Sequence, residues 1–119
     1  MSEKYVDSFV MPVSKSKIED YKKFSEKMAA LAKKHGALEY VNCIADDVKA
    51  GKETSFPQSV KLGGDEVVVT SWAVYESRED RDRANKAIAE DDAFKELSKH
   101  IPVDGRRMFT GGFKVLRGL

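Results

Sequence analysis

Asp7 carries the clearest chemical promise in this chain. It stands in the run Tyr5-Val6-Asp7-Ser8-Phe9-Val10-Met11, an acid among apolar neighbours. A buried carboxylate is costly unless it is paired or hydrogen-bonded. Such an acid can be a proton acceptor or ligand anchor facing a pocket. It can equally be a structural acid bonded to backbone or to a lysine. His35 is the second catalytic candidate, because imidazole exchanges protons near neutral pH. Its place at the end of an apolar stripe also suits a histidine held by the helix dipole. Glu39 and Tyr40 follow closely, so His35 and Glu39 could form a small cluster.

Four residues are candidates for holding a ligand: Trp72, Tyr75, Glu39 and Arg106. Trp72 is the only tryptophan and could line an aromatic wall with Tyr75, Tyr5 or Phe9, or could serve core or interface. In Asp104-Gly105-Arg106-Arg107 an arginine fork suits bidentate capture of a carboxylate. Strand alternation would send the two arginines to opposite faces, so at most one points inward.

Other constellations carry less. His35, His100 and the single cysteine, Cys43, make no metal-ligand spacing. Asp46-Asp47 lacks the alternating acids and terminal glutamate of a calcium loop. Gly111-Gly112 marks a bulge or close backbone approach in a strand. It is no phosphate loop, because no helix begins there. No cofactor and no metal are expected.

The composition excludes further classes. The 119 residues suit one domain, 1–119, and the net charge of +1 gives no pull toward nucleic acid or anionic membrane. No run approaches the roughly 20 apolar residues that span a bilayer. The N-terminus lacks a signal-peptide core, and one cysteine makes no internal disulfide, so a cytoplasmic location is expected.

The candidates must be positioned by six main elements. Tyr5 to Val13 reads as a strand, ended by Pro12. Ser16-Lys17-Ile18-Glu19 fits a capping box. Ile18, Tyr21, Phe24, Met28, Leu31 and Ala32 form one helical stripe. His35-Gly36 closes that helix, with glycine suited to the left-handed position. Ala37 to Val48 is a second strand. The irregular stretch from Lys49 to Gly64 holds two short extended pieces, Thr54-Ser55-Phe56 and Ser59-Val60-Lys61-Leu62. Glu66 to Glu76 is a third strand. Ser77 starts a second helix with a thin apolar face of Ala84, Ala87 and Ile88. Asp91-Asp92 restarts the chain as a short helix packed through Phe94 and Leu97. Gly105 to Leu116 is the last strand.

Strand, helix, strand, strand, helix, strand predicts an α+β, ferredoxin-like antiparallel sheet of order 4-1-3-2, with helices on one face. The third strand is apolar on both sides: Val67, Val69, Ala73 and Tyr75 on one, Val68, Trp72 and Val74 on the other. A half-wet strand should alternate apolar with polar. The helices cover one face, and a second copy of the chain is the expected cover for the other, giving a two-fold homodimer.

Several separated motifs, in order along nearly the whole chain, resemble the YbaA-like bacterial proteins. They are Tyr5-Val6-Asp7-Ser8-Phe9-Val10-Met11-Pro12-Val13, His35-Gly36-Ala37-Leu38-Glu39-Tyr40, Thr54-Ser55-Phe56-Pro57, Ser71-Trp72, Asp104-Gly105-Arg106-Arg107-Met108 and Gly111-Gly112-Phe113. The resemblance implies the dimeric α/β-barrel superfamily, in which two ferredoxin-like subunits pair their sheets. It brings no established activity and no catalytic residue. The wider superfamily spans cofactor-free oxygenases, haem-degrading enzymes, lactone isomerases and stress proteins, and fold alone does not choose among them. Haem-degrading members use an Asn, a Trp and a His. Here Asp7 stands at the Asn position and no histidine occurs between Gly36 and Lys99, which argues against that chemistry.

The expected function is binding of a small organic molecule, with cofactor-free oxygenation or proton transfer as the reaction. The alternative is a non-catalytic stress-response or structural homodimer. An RNA-binding module shares the strand order, but the third strand lacks the aromatic motif and the chain is not basic.

Overall fold

A computed structural model describes residues 3–119. The elements are β1 (Tyr5–Ser14), α1 (Ile18–Lys34), β2 (Glu39–Ile44), α2 (Phe56–Ser59), β3 (Glu66–Tyr75), α3 (Arg78–Glu90), α4 (Asp92–Leu97) and β4 (Phe109–Lys114). The sheet is antiparallel with order β2-β3-β1-β4. This is the anticipated 4-1-3-2 order read from its other edge. β1 is central, pairing with β3 from Tyr5↔Tyr75 to Ser14↔Glu66 and with β4 from Tyr5↔Lys114 to Val10↔Phe109.

Strand alternation divides the sheet into two faces. Toward the helices point Tyr5, Asp7, Phe9, Met11 and Val13 of β1, with Val69, Ser71, Ala73 and Tyr75 of β3. Apart from the half-buried Phe9, all of these are buried. They meet Leu31 and Ala32 of α1 and Ala84 and Ile88 of α3 in one cluster, and Tyr21 of α1 in a second. Each large apolar side chain buried there contributes about 1.5–3 kcal/mol. The outer face carries Val6, Val10, Val41, Trp72, Phe109 and Phe113. Phe109 and Phe113 are 46% and 58% exposed. At one end of this face Pro12 and Val68 are buried, and α2 packs against β3.

Local chemistry sets the helix ends. Gly36, at φ 117°, turns the chain out of α1, and the Ala37 N–H closes on the Ala32 carbonyl at 2.9 Å. Ser77 caps α3 by accepting from the Asp80 N–H at 3.1 Å. Asp91 caps α4 by accepting from the Ala93 N–H at 2.9 Å.

Several local expectations are corrected. Ser16 makes no capping box: it lies inside a 3-10 turn, Lys15–Lys17, where the extended backbone of a cap residue is lost. Pro12 does not end β1. The partner strand β4 stops at Val10, so Pro12 lies where β1 has become an edge on that side and a missing N–H is tolerated. Thr54 to Leu62 holds a helical turn rather than extended pieces. Ser55 accepts from the Gln58 N–H at 3.2 Å, and Pro57 sits in the first turn, where it needs no donor. β2 and β4 are shorter than their apolar runs because pairing stops at Ile44 and begins at Phe109.

Candidate functional site

One row of residues crosses the helix-facing side of the sheet: Tyr40, Ala73, Asp7 and Gly112. The acid is thus flanked by a methyl group on β3 and by bare backbone on β4. This leaves room above the carboxylate. α3 supplies the roof through Arg81, Asn85 and Ile88, spaced i, i+4 and i+7 on one helix face. Phe94 of α4 and Met28 and Ala32 of α1 close the remaining sides. The half-open cleft measures about 370 Å³ and also touches Phe9, Tyr75, Ala89, Thr110 and Gly111.

The polar centre is an ion pair. Arg81 Nη1 donates to Asp7 Oδ1 at 2.7 Å, with side-chain exposures of 17% and 7%. Arg81 Nε donates to Asp82 at 2.8 Å, and the guanidinium carbon lies 4.8 Å from the centre of the Tyr5 ring. Asn85 Nδ2 reaches the other Asp7 oxygen at 3.4 Å. Burial works against the Arg81 charge. Bonds to Asp82 and the nearby Asp7 carboxylate outweigh it, and the guanidinium pKa lies above its ordinary value.

Two tyrosines complete the lining. Burial and then the Tyr75 neighbour push the Tyr40 hydroxyl up to about 12. Burial and then the Asp7 charge raise that of Tyr75. Both phenols therefore remain protonated donors at neutral pH. Among the described residues neither hydroxyl has a hydrogen-bond partner. Among the described residues no buried polar side-chain atom is sealed off unsatisfied, so both open onto free space.

The structure brings Asp7 and Tyr75 together in this cavity and places the other sequence candidates elsewhere. Trp72 pairs with Ser8 and Val41 on the outer face, pointing away from its strand neighbour Ala73. Glu39 pairs with Val74 on the same outer face and is exposed. The His35–Glu39 cluster therefore does not form. His35, at the C-terminal end of α1, places Nε2 2.8 Å from Asp91 Oδ2, an oxygen that also accepts from Lys34 Nζ at 3.0 Å. These bonds and the Ala93 N–H hold the Asp91 carboxyl well below the usual range. Arg106 and Arg107 precede β4, so strand alternation does not govern them. Arg106 is 93% exposed and folds back on Asp104. Arg107 instead makes a two-pronged bond to Glu66, both contacts 2.7 Å.

Arg81, Asn85 and Tyr40 were not singled out from sequence as site residues. A signal existed: Ala84 and Ile88 define the buried stripe of α3, and stepping three residues back from Ala84 lands on Arg81. A larger, open groove of about 960 Å³ runs between α1 and α4, lined by Phe24, Leu31 and Leu97 with Lys23, Lys27 and His100. Its charges stand on the surface. The smaller cleft is the one lined by a buried ion pair, and it is the candidate site. Among the described residues no group of three or more His, Cys, Asp or Glu side chains could hold a metal ion, and no helix is long and apolar enough to cross a membrane.

The overall fold is similar to that of a variant of SnoaB, a cofactor-independent oxygenase from Streptomyces nogalater, with TM-score 0.66, 12% identity, and 99% of this chain and 98% of that chain covered. It is also similar to a NIPSNAP family protein from Agrobacterium tumefaciens, with TM-score 0.61, 12% identity, and 97% and 88% covered. At such identities the likeness speaks for the ferredoxin-like fold alone. Sequence relatives are much nearer. The uncharacterized protein YbaA of Escherichia coli is 45% identical over 111 residues, covering 93% of this chain and 95% of that protein. Residues 4–105 match the family described as Protein of unknown function (DUF1428). The chain therefore belongs to the DUF1428 family, with YbaA among its relatives.

Proposed function

We propose that this protein binds a small organic molecule in the cavity above Asp7 and moves a proton on it, working as a homodimer. The carrying observation is the half-open cleft of about 370 Å³ that the Asp7–Arg81 pair lines. Its size falls near the lower end of small-molecule sites, about 300–1,000 Å³. Apolar walls of Phe9, Met28, Ile88 and Phe94 favour a compact carbon skeleton. Asp7 Oδ1 is occupied by Arg81, while among the described residues Oδ2 has only the long contact to Asn85. Oδ2 is the oxygen that accepts a proton from a bound C–H or O–H. Arg81 steadies the carboxylate and the charge that develops beside it. SnoaB, which shares the fold, is named as a cofactor-independent oxygenase. Removing a substrate proton is also a natural opening for oxygenation without a cofactor, so the same carboxylate serves either outcome.

The homodimer reading rests on the outer sheet face. Trp72, Val6, Val10 and Val41 are half-buried there, and Phe109 and Phe113 are exposed. A patch of this kind on a sheet marks a contact surface, and self-pairing by a two-fold axis covers both copies at once.

A thermal-shift screen of small carbonyl compounds, phenols and acids tests the binding reading. Hits are expected to stabilise the wild type and not the Ala89→Trp variant, whose indole would plug the mouth of the cavity. Equal stabilisation of both would place binding elsewhere.

A further inference from the structure

We infer that the Tyr40 and Tyr75 hydroxyls form an oxyanion hole, so that the molecule taken by this cavity is an uncharged ketone that Asp7 enolises. The inference rests on the proton-transfer reading of Asp7 and adds the second half of the machinery and the class of substrate.

Three observations carry it. Tyr75 is 2% exposed and Tyr40 is partly buried, yet neither hydroxyl bonds to another group among the described residues. Both hydroxyls open onto free space instead of being tied up within the protein, so two donors on one cavity wall are available to a ligand. Both stand on the floor that carries the acid. Tyr40 shares the cross-sheet row of Asp7, with only Ala73 between them, and Tyr75 lies diagonally from Asp7 across the β1–β3 pair. The small side chain of Ala73 leaves a gap that one substrate can bridge, its carbonyl oxygen toward the phenols and its adjacent carbon toward Asp7. Finally, the charges facing the cavity, Asp7 and Arg81, already cancel each other. A carboxylate ligand would bring an unbalanced charge next to Asp7. A neutral ketone develops charge only as it reacts, which is when hydrogen-bond donors act most strongly.

The step balances without any further reagent. Asp7 Oδ2 takes a proton from the carbon next to the carbonyl. The C–H electron pair becomes the C=C bond of an enolate, and the carbonyl π pair moves onto oxygen. The two phenols donate hydrogen bonds to that oxygen while remaining protonated. Asp7 then returns the proton, to the same carbon or to the far end of a conjugated enolate, so the net reaction is exchange or isomerisation.

Exchange of the carbon-bound protons of 2-tetralone for deuterium, followed by proton NMR, tests this directly. The wild type is expected to accelerate exchange, Asp7→Asn to abolish the acceleration, and Tyr75→Phe and Tyr40→Phe each to lower kcat about 100-fold with little change in KM. The thermal midpoints of both phenylalanine variants should stay at the wild-type value, since no protein bond is lost. The neutral ketone should also raise the thermal midpoint more than phenylacetate does. Exchange that needs Asp7 but is untouched in both phenylalanine variants would overturn the oxyanion hole while leaving proton transfer standing. A preference for phenylacetate would overturn the uncharged class. Absence of exchange from the wild type would overturn this inference together with the proton-transfer reading.

Discussion

Gly112 stands directly opposite Asp7 in the sheet, and a single methyl group at that glycine would lie 2.5 Å from the Tyr5 hydroxyl and 2.9 Å from Arg81 Nη1. The guanidinium that pairs with Asp7 thus occupies the volume that a side chain on β4 would fill. Gly112→Ala is expected to push Arg81 off the acid and to cost about 1–3 kcal/mol of folding free energy. Urea unfolding measures it. Gly105→Ala, where nothing lies within 4 Å of the added group, is the control and should change little.

The ion pair itself gives the second prediction. Arg81→Met leaves the Asp7 carboxylate buried without its cation and is expected to destabilise by about 3 kcal/mol. Adding Asp7→Asn to that variant should restore a large part of the loss. A double-mutant cycle by chemical denaturation reads the coupling. Independent, additive losses would mean that the two groups do not depend on each other.

How much of this was legible in the sequence varied with the physics. The order of elements and the apolar stripe of α1 are local signals, and they led directly to the sheet order and to Asp7 in its central strand. Trp72 and Glu39 illustrate the limit. A strand's alternation assigns residues to two sets, but which set meets the helices depends on contacts far along the chain. Trp72 fell on the side away from Asp7 because the β1–β3 register sets Asp7 opposite Ala73 and Trp72 opposite Ser8. Arg81 was hidden differently: α3 has few apolar residues, so its buried side looked too thin to include a charged one. Its partner across 74 residues of chain is what allows that arginine indoors. Gly111-Gly112 was legible as a place of close approach, though not as the seat of a guanidinium.

Asp91 supplies a pH dependence. Hydrogen bonds from His35, Lys34 and the Ala93 N–H depress its folded value below the ordinary 3.8. The stability it contributes is therefore fully present above about pH 4 and is lost as pH falls toward the folded value. The difference in unfolding free energy between wild type and Asp91→Asn should shrink as pH falls below about 4. It should also shrink with added salt, because Lys34 is exposed. A difference that grows in acid would contradict this assignment.

The outer face gives a fourth prediction. Phe113 is 58% exposed, so Phe113→Glu should leave the subunit folded by circular dichroism while turning a dimer into a monomer in sedimentation velocity. A wild-type chain that sediments as a monomer at micromolar concentration would rule out pairing through that face.

The most direct test of the central claim is a nitrogen-edited NMR titration of the wild type with 2-tetralone. The account predicts that the Arg81 Nε–H, the Asn85 side-chain amide and the Gly112 backbone amide shift together and saturate with a single dissociation constant. Shifts confined to Lys23, Lys27 and Leu97 along the open groove, with the Arg81 and Gly112 signals unmoved, would contradict it.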